Sequence, residues 1–115
     1  MVIAANGGRC AISGLPELLL LDAAHIVDDR NEAPGQPVIN NGIPLSKIHH
    51  AAFDAQLIGI DPGLRVHVSE RLLALHDGPT LDALRRFNGS LLHPPLRSGD
   101  RDRLAQRFEL FCAAA

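Results

Sequence analysis

Residues 20–27 read L-L-D-A-A-H-I-V, and after a polar loop residues 40–54 read N-N-G-I-P-L-S-K-I-H-H-A-A-F-D. His25 ends an apolar run and is a candidate general base, because imidazole exchanges a proton near neutral pH. The Asn41-Gly42 step predicts a tight turn. His50 and Asp54 are four residues apart, so on a helix they share a face and can share a metal ion. Two strands and a helix that hold one base and one metal ion predict hydrolysis of a phosphodiester.

Periodicity and capping signals predict three elements in this stretch. Period-two alternation places Asp22 and Ala24 on one face of the first strand and the candidate base on the other. Ser46 is placed to cap the helix, and Ile48 is expected to pack against the strands beside an Ala-Phe step. The predicted elements are a first strand over Leu18–Val27, an exposed loop over Asp28–Gln36, a second strand over Pro37–Ile39 and Gly42–Leu45, and a helix over Lys47–Asp54.

The second half of the chain predicts a hairpin and further helices. Asp61-Pro62-Gly63 is a strong turn sequence between two short apolar runs, Leu57–Asp61 and Leu64–Ser69. His67 alternates with two valines and is expected on the wet face. Asp100–Ala115 predicts a final helix with its apolar residues at helical spacing. The arginines of this helix are interpreted as a solvated face rather than a DNA contact; they are Arg101, Arg103 and Arg107.

Three phrases of the central stretch carry a family resemblance. They are D-A-A-H-I over Asp22–Ile26, N-G-I-P-L over Asn41–Leu45, and K-I-H-H-A-A-F-D over Lys47–Asp54. This order resembles the HNH endonucleases, and within them the branch found in restriction-type enzymes. The resemblance implies an α+β fold: a ββα-metal finger over residues 18–56, with an added β-hairpin and C-terminal helices over residues 57–115.

The resemblance also implies a role for each motif residue. His25 would be the general base, and Asn41 would tether the loop behind it. His50 and Asp54 would bind the metal ion. Many HNH proteins have a further ligand directly before the base, where this chain has alanine. Asp22 lies on the same strand face and is the substitute candidate, against the alternative of a strand-edge carboxylate in water.

A structural zinc site is not expected. Proteins that resemble this chain often carry two C-x-x-C/H pairs that together bind zinc with tetrahedral geometry. The corresponding residues here are Cys10 with Ser13, and Ser46 with His49. Hydroxyls are poor zinc ligands compared with thiolates, so Cys10 is interpreted as a small buried apolar residue. Cys10 and Cys112 are expected to be free thiols.

Length and composition set the limits of these interpretations. A chain of 115 residues is expected to form a single domain, residues 1–115, and the abrupt start suggests either part of a larger chain or a minimal form of the domain. No long apolar run or signal-peptide pattern is present, which favours a cytoplasmic protein without a membrane span. The net charge of −2 is unusual for a nucleic-acid binder. However, all but one of the eleven Lys and Arg residues are arginines, which suit phosphate contacts.

The leading hypothesis is a metal-dependent DNA endonuclease, the cleavage domain of a restriction-type enzyme. Mg²⁺ or Mn²⁺ is the expected cofactor, with Ni²⁺ or Zn²⁺ tolerated because of the imidazole ligand. Arg30, Lys47 and Arg65 are candidate phosphate contacts on duplex DNA, with little intrinsic base specificity. Two questions stay open: whether the chain forms a homodimer, and whether a fused or separate domain reads the DNA sequence. The main alternative is a catalytically inactive ββα nucleic-acid-binding module, and the last is a small regulatory or assembly protein.

Overall fold

The computed structural model describes residues 8–26, 42–76, 78–92 and 100–114. Within these ranges the chain has four helices and two antiparallel sheets of two strands each, which confirms the predicted α+β class. None of the helices there is long and apolar enough to cross a membrane. In chain order the elements are a 3₁₀ turn (Leu18–Leu20), β1 (Leu21–His25), β2 (Gly42–Ser46), α1 (Lys47–Asp54), β3 (Ile58–Ile60), β4 (Val66–Val68), α2 (Glu70–Leu73), α3 (Gly78–Arg85) and α4 (Asp100–Ala114).

The first sheet and α1 form the predicted ββα unit. β1 and β2 pair antiparallel, from Leu21 opposite Ser46 to His25 opposite Gly42. Ser46 then begins α1 as its N-cap, and its hydroxyl accepts a hydrogen bond from the backbone N–H of His49 at 3.2 Å. An eight-residue helix is marginal alone, so burial against the strands must stabilise it. Phe53, which is fully buried, provides that contact.

Two details of this unit differ from the prediction. The first strand begins at Leu21, because β2 turns into α1 at Ser46 and offers no backbone partner further along. The preceding leucines form the 3₁₀ turn instead, and Leu19 is 82% exposed. Ile48 is 39% exposed, while His49 takes the inward position on α1. The predicted loop 28–36, the strand piece 37–39 and Val27 lie outside the described residues.

The predicted hairpin is confirmed as β3 and β4. The Asp61 carboxylate stabilises the turn, because its Oδ1 accepts from the backbone N–H groups of Gly63 at 2.8 Å and Arg65 at 3.1 Å. Its Oδ2 lies 2.8 Å from His67 Nε2. Burial raises the pKa of Asp61, but these hydrogen bonds outweigh it and lower the pKa below 3.8. The His67 side chain is 39% exposed, in line with the predicted wet face, and one side of its ring packs 4.8 Å from the ring of Phe108 in α4.

Helix α4 lies across both halves of the fold. On the hairpin side the ring of Phe111 packs directly onto Gly59, so closely that a Cβ at that position would lie 2.5 Å from a ring carbon. On the ββα side, Leu104 is fully buried and Arg107 covers the ring of Phe53. One continuous core therefore joins the two sheets; its fully buried large side chains include Phe53, Ile26, Ile43, Leu45, Ile58, Ile60, Leu104 and Val66.

Candidate functional site

Three predicted site residues form a hydrogen-bonded row where β1 meets α1. His50 is at the centre, with its Nδ1 2.9 Å from Oδ2 of Asp22 and its Nε2 3.0 Å from Oδ2 of Asp54. Asp54 reaches the ring because it follows one helical turn later, and Asp22 reaches it because β1 points that residue toward α1. The predicted sharing of a strand face by Asp22 and Ala24 agrees with this arrangement.

Cations lie at both ends of the row. Lys47 Nζ donates to Oδ1 of Asp22 at 2.8 Å, and Arg107 Nη2 donates to Oδ1 of Asp54 at 3.1 Å. Hydrogen bonds from His50 and then from Lys47 hold the pKa of Asp22 below its usual value of 3.8. Each carboxylate thus uses one oxygen for a cation and the other for the imidazole. The charges of Lys47 and Arg107 therefore offset those of the two carboxylates, and no residue of β3 or β4 takes part.

Arg107 is the site residue that the sequence interpretation missed. The prediction of a solvated face is wrong for it, because only 9% of its surface is exposed. The guanidinium is buried because it finds three acceptors on neighbouring elements: Ile26 O at 3.2 Å, Phe53 O at 2.9 Å and the Asp54 carboxylate. A sequence signal existed, since Arg107 follows Leu104 by three residues and precedes Phe111 by four, so all three share a helix face.

The candidate base lies at the end of β1, on the strand face opposite to that of Asp22. His25 is exposed and pairs with Gly42 across the sheet. Its role as base stays a prediction. Asn41 and Arg30 lie outside the described residues.

Two candidate phosphate contacts lie on opposite halves of the fold. Lys47 is 58% exposed in spite of its Asp22 partner, so part of its charge faces solvent. Arg65 is also exposed, and its Nη1 donates to the carbonyl of Gly89. Their contact with DNA stays a prediction.

The donor chemistry of the row fits a divalent cation on one side of His50. Nε2 of His50 and Oδ2 of Asp54 face each other at 3.0 Å, and a nitrogen with a carboxylate oxygen suits Mn²⁺ or Mg²⁺ with water in the remaining positions. Asp22 lies on the opposite ring nitrogen. Within the described residues no three His, Cys, Asp or Glu side chains converge on one point that could hold a metal ion. The direct ligand role of Asp22 stays a prediction.

A second cluster lies on the far side of α1. The structure brings together the four residues that correspond to the zinc positions: Cys10, Ser13, Ser46 and His49. Cys10 is buried, and its Sγ accepts from the backbone N–H of Ser13 at 3.3 Å. Ser46 Oγ lies 2.5 Å from His49 Nδ1, while His49 Nε2 lies 3.0 Å from the carbonyl of Ala83 in α3. His49 is therefore a structural residue, held between Ser46 and α3. The absence of zinc stays a prediction, and both cysteines are free thiols, which confirms that expectation.

This cluster gives the stability of the protein an expected pH dependence. Burial raises the pKa of Cys10, but hydrogen bonds from His49, Ser13 and Ser46 outweigh it and lower the pKa from 9.0 to about 6. Because the folded thiol binds its proton more weakly, its stabilising contribution is complete above pH 9 and is lost as the pH falls toward 6. We expect the free energy of unfolding to rise over this window by at most about 4 kcal/mol. Urea titrations at several pH values measure it.

Two cysteine variants serve as controls for this prediction. Cys10→Ser should flatten the rise, whereas Cys112→Ser, which removes an exposed thiol, should keep it. Equal pH slopes for the wild type and Cys10→Ser would contradict the prediction.

Comparison with known proteins identifies the segment that carries the row. No curated protein matches the sequence. The family model described as HNH endonuclease matches residues 10–61, which include β1, β2, α1 and β3. Enzymes of this family are nucleases that act on DNA and generally use divalent metal ions. Residues 10–61, with His50 at the centre of the hydrogen-bonded row, are therefore similar to the HNH endonuclease family.

Proposed function

We propose that the chain is a metal-dependent DNA endonuclease that hydrolyses phosphodiester bonds with His25 as general base. The observation that carries the proposal is the Asp22–His50–Asp54 row inside the segment matched by the family. The His50 side chain is 26% exposed and its two carboxylate partners are 32% and 57% exposed, and ion pairs this close to the surface are worth about 0–1 kcal/mol of stability. A chemical role explains the arrangement better.

In this proposal His25 removes a proton from the attacking water. Its exposure at the end of β1 leaves it accessible to both water and a phosphate group. A positioned base of this kind is worth typically about 10²–10⁴-fold in rate. Asn41 follows the predicted loop and is proposed to tether that loop to its own backbone, which would keep the strand of the base in place. Neither residue needs to touch the metal ligands.

His50 and Asp54 are proposed to hold the divalent cation, through Nε2 and Oδ2. When bound, the cation supplies Lewis-acid neutralisation of the charge that develops on the phosphoryl and leaving oxygens. Asp22 orients His50 through the other ring nitrogen, as carboxylates commonly do behind a ligating histidine. Mg²⁺ or Mn²⁺ is the proposed ion, and Ni²⁺ or Zn²⁺ should be tolerated because one donor is an imidazole.

Duplex DNA is the proposed substrate, bound through its phosphates. Lys47 lies directly beside the row, and Arg65 and Arg30 are further candidate contacts. Such contacts position a duplex without reading its bases, so we expect little sequence specificity from this domain alone. The finger 18–56 with its extension 57–115 would then be one nuclease domain. In a restriction-type enzyme, a fused or separate reader would add specificity, and a homodimer would cut both strands.

One observation favours a second function, a nucleic-acid-binding module without catalysis. The residue directly before His25 is Ala24, which is fully buried and offers no donor atom. The metal site would then lack a ligand on the strand. This alternative predicts DNA binding without cleavage in any divalent metal ion.

Supercoiled plasmid distinguishes the two functions. The purified protein should nick or linearise the plasmid with Mg²⁺ or Mn²⁺, and EDTA should prevent it. His50→Ala should abolish cleavage and keep the fold, because the removed side chain is only partly buried. A contaminating nuclease would be unaffected by the substitution. DNA binding without cleavage in each of the four metal ions would instead support the binding module.

A further inference from the structure

We infer that Arg107 is a positioning residue of the nuclease site: it holds Asp54 in the orientation that meets His50. The inference rests on the proposed function, and it goes further in assigning part of the site to α4. Residue 107 lies well beyond the matched segment 10–61, so the family motif does not include it. Its contacts with the end of β1 and the end of α1 are called the Arg107 clamp below.

Among the described residues, the clamp joins the end of β1 to the last turn of α1, which no backbone hydrogen bond joins. Nη1 donates to the carbonyl of Ile26, directly after β1, at 3.2 Å. Nη2 donates to the carbonyl of Phe53 at 2.9 Å and to Oδ1 of Asp54 at 3.1 Å, both at the last turn of α1. The planar guanidinium thus fixes the distance between the strand that carries the base and the helix that carries the ligands.

Asp54 needs such a partner because little else restrains it. Its side chain is 57% exposed, and a carboxylate at a helix end can rotate freely in water. With Oδ1 bound to the buried guanidinium, Oδ2 is left directed at His50 Nε2. The rotamer that pairs the two proposed ligands is therefore already selected before a cation binds. Preorganisation of this kind lowers the cost of assembling a site.

Stability alone is a weak reason for this arginine. Burial of a charge is costly, and a well-packed apolar side chain of similar volume is often neutral or better. In addition, Nε of Arg107 is buried with no hydrogen-bond partner among the described residues, which carries a further desolvation cost. The guanidinium carbon lies 4.1 Å from the centroid of the Phe53 ring, a position where a methionine stem would also pack. Methionine would keep the packing and remove only the hydrogen bonds.

The first test is made on the metal-free chain of 115 residues. The side-chain ¹⁵N resonance of His50 Nε2 reports its contact with Asp54, and it is expected to move in Arg107→Met and, by less, in Arg107→Lys. Lysine keeps the charge but donates from a single point, so it cannot satisfy all three acceptors. Arg86→Met is the matched control, because Arg86 is an exposed arginine in an ion pair with Asp82 at 3.5 Å. It should leave the resonance in place.

The second test is the affinity for Mn²⁺, measured by titration calorimetry without DNA. Loss of a residue that orients a metal ligand typically costs about 10–100-fold in metal affinity. We expect a loss in this range for Arg107→Met, a smaller loss for Arg107→Lys, and none for Arg86→Met. An unshifted His50 resonance in either folded Arg107 variant would overturn the inference. If Arg107→Met does not fold, the result for Arg107→Lys alone decides. Because the resonance is read without metal or DNA, a wild type that fails to cleave would refute the proposed function separately.

Discussion

His25→Ala is expected to lower the rate of plasmid nicking by about 10²–10⁴-fold, the range that general-base catalysis contributes. Without an imidazole at the end of β1, the attacking water must lose its proton to solvent. The contacts described for His50, Asp54 and Arg107 do not involve this side chain, so Mn²⁺ affinity should stay at the wild-type value. The loss should therefore appear in kcat more than in KM. Initial nicking rates at saturating Mn²⁺ measure it.

His76→Ala is the matched control, since it removes another exposed histidine far along the chain from the ββα unit. It should cleave at the wild-type rate. If His25→Ala cleaved as fast as the wild type, the base would have to be another group and the proposed mechanism would be wrong. An equal loss in both variants would show that the assay responds to histidine removal in general.

Gly59→Ala is expected to destabilise the fold by about 1–3 kcal/mol, as overpacking of a well-filled interior does. The new Cβ would lie between 2.5 and 2.9 Å from three ring carbons of Phe111, distances that force either the ring or α4 to move. Gly59 is in the middle of β3 and pairs with His67, so the strand cannot easily move away from the Phe111 ring. Urea denaturation measures the loss, and the midpoint should fall with little change in the slope.

Phe111→Leu provides a test of the cause. If the clash with the ring is responsible, the double variant Gly59→Ala/Phe111→Leu should be more stable than the sum of the single changes predicts. Strict additivity would place the effect elsewhere, for example in the strand itself. A Gly59→Ala protein as stable as the wild type would show that α4 adapts at no cost.

The sequence predicted the local parts of the fold well because they follow from short-range spacing. Ser46 directly before K-I-H-H predicted a capped helix, and α1 begins at the predicted residue. The Asp-Pro-Gly turn predicted the hairpin. The four-residue interval between His50 and Asp54 predicted their meeting, which the structure shows at 3.0 Å. Each of these depends on residues fewer than ten positions apart.

What the sequence did not reveal depends on distant partners. The leucines before β1 extend the apolar run that predicted the strand, but pairing requires a partner strand, and β2 ends opposite Leu21. The burial of Arg107 required knowledge of where Ile26 O and Phe53 O would lie, and neither carbonyl is visible in a helical pattern. An arginine on an apolar helix face looks like a solvated residue until its acceptors are placed.

The inferred role of the Arg107 clamp also determines when the site can assemble during synthesis. Chains are made from the N-terminus, and β1, β2 and α1 emerge from the ribosome well before residue 107. Until α4 docks, Asp54 lacks its buried partner and Phe53 lacks the helix that covers it. A nascent nuclease of this design would acquire its DNA-cutting geometry only after α4 has been made, which separates the moment of translation from the onset of activity.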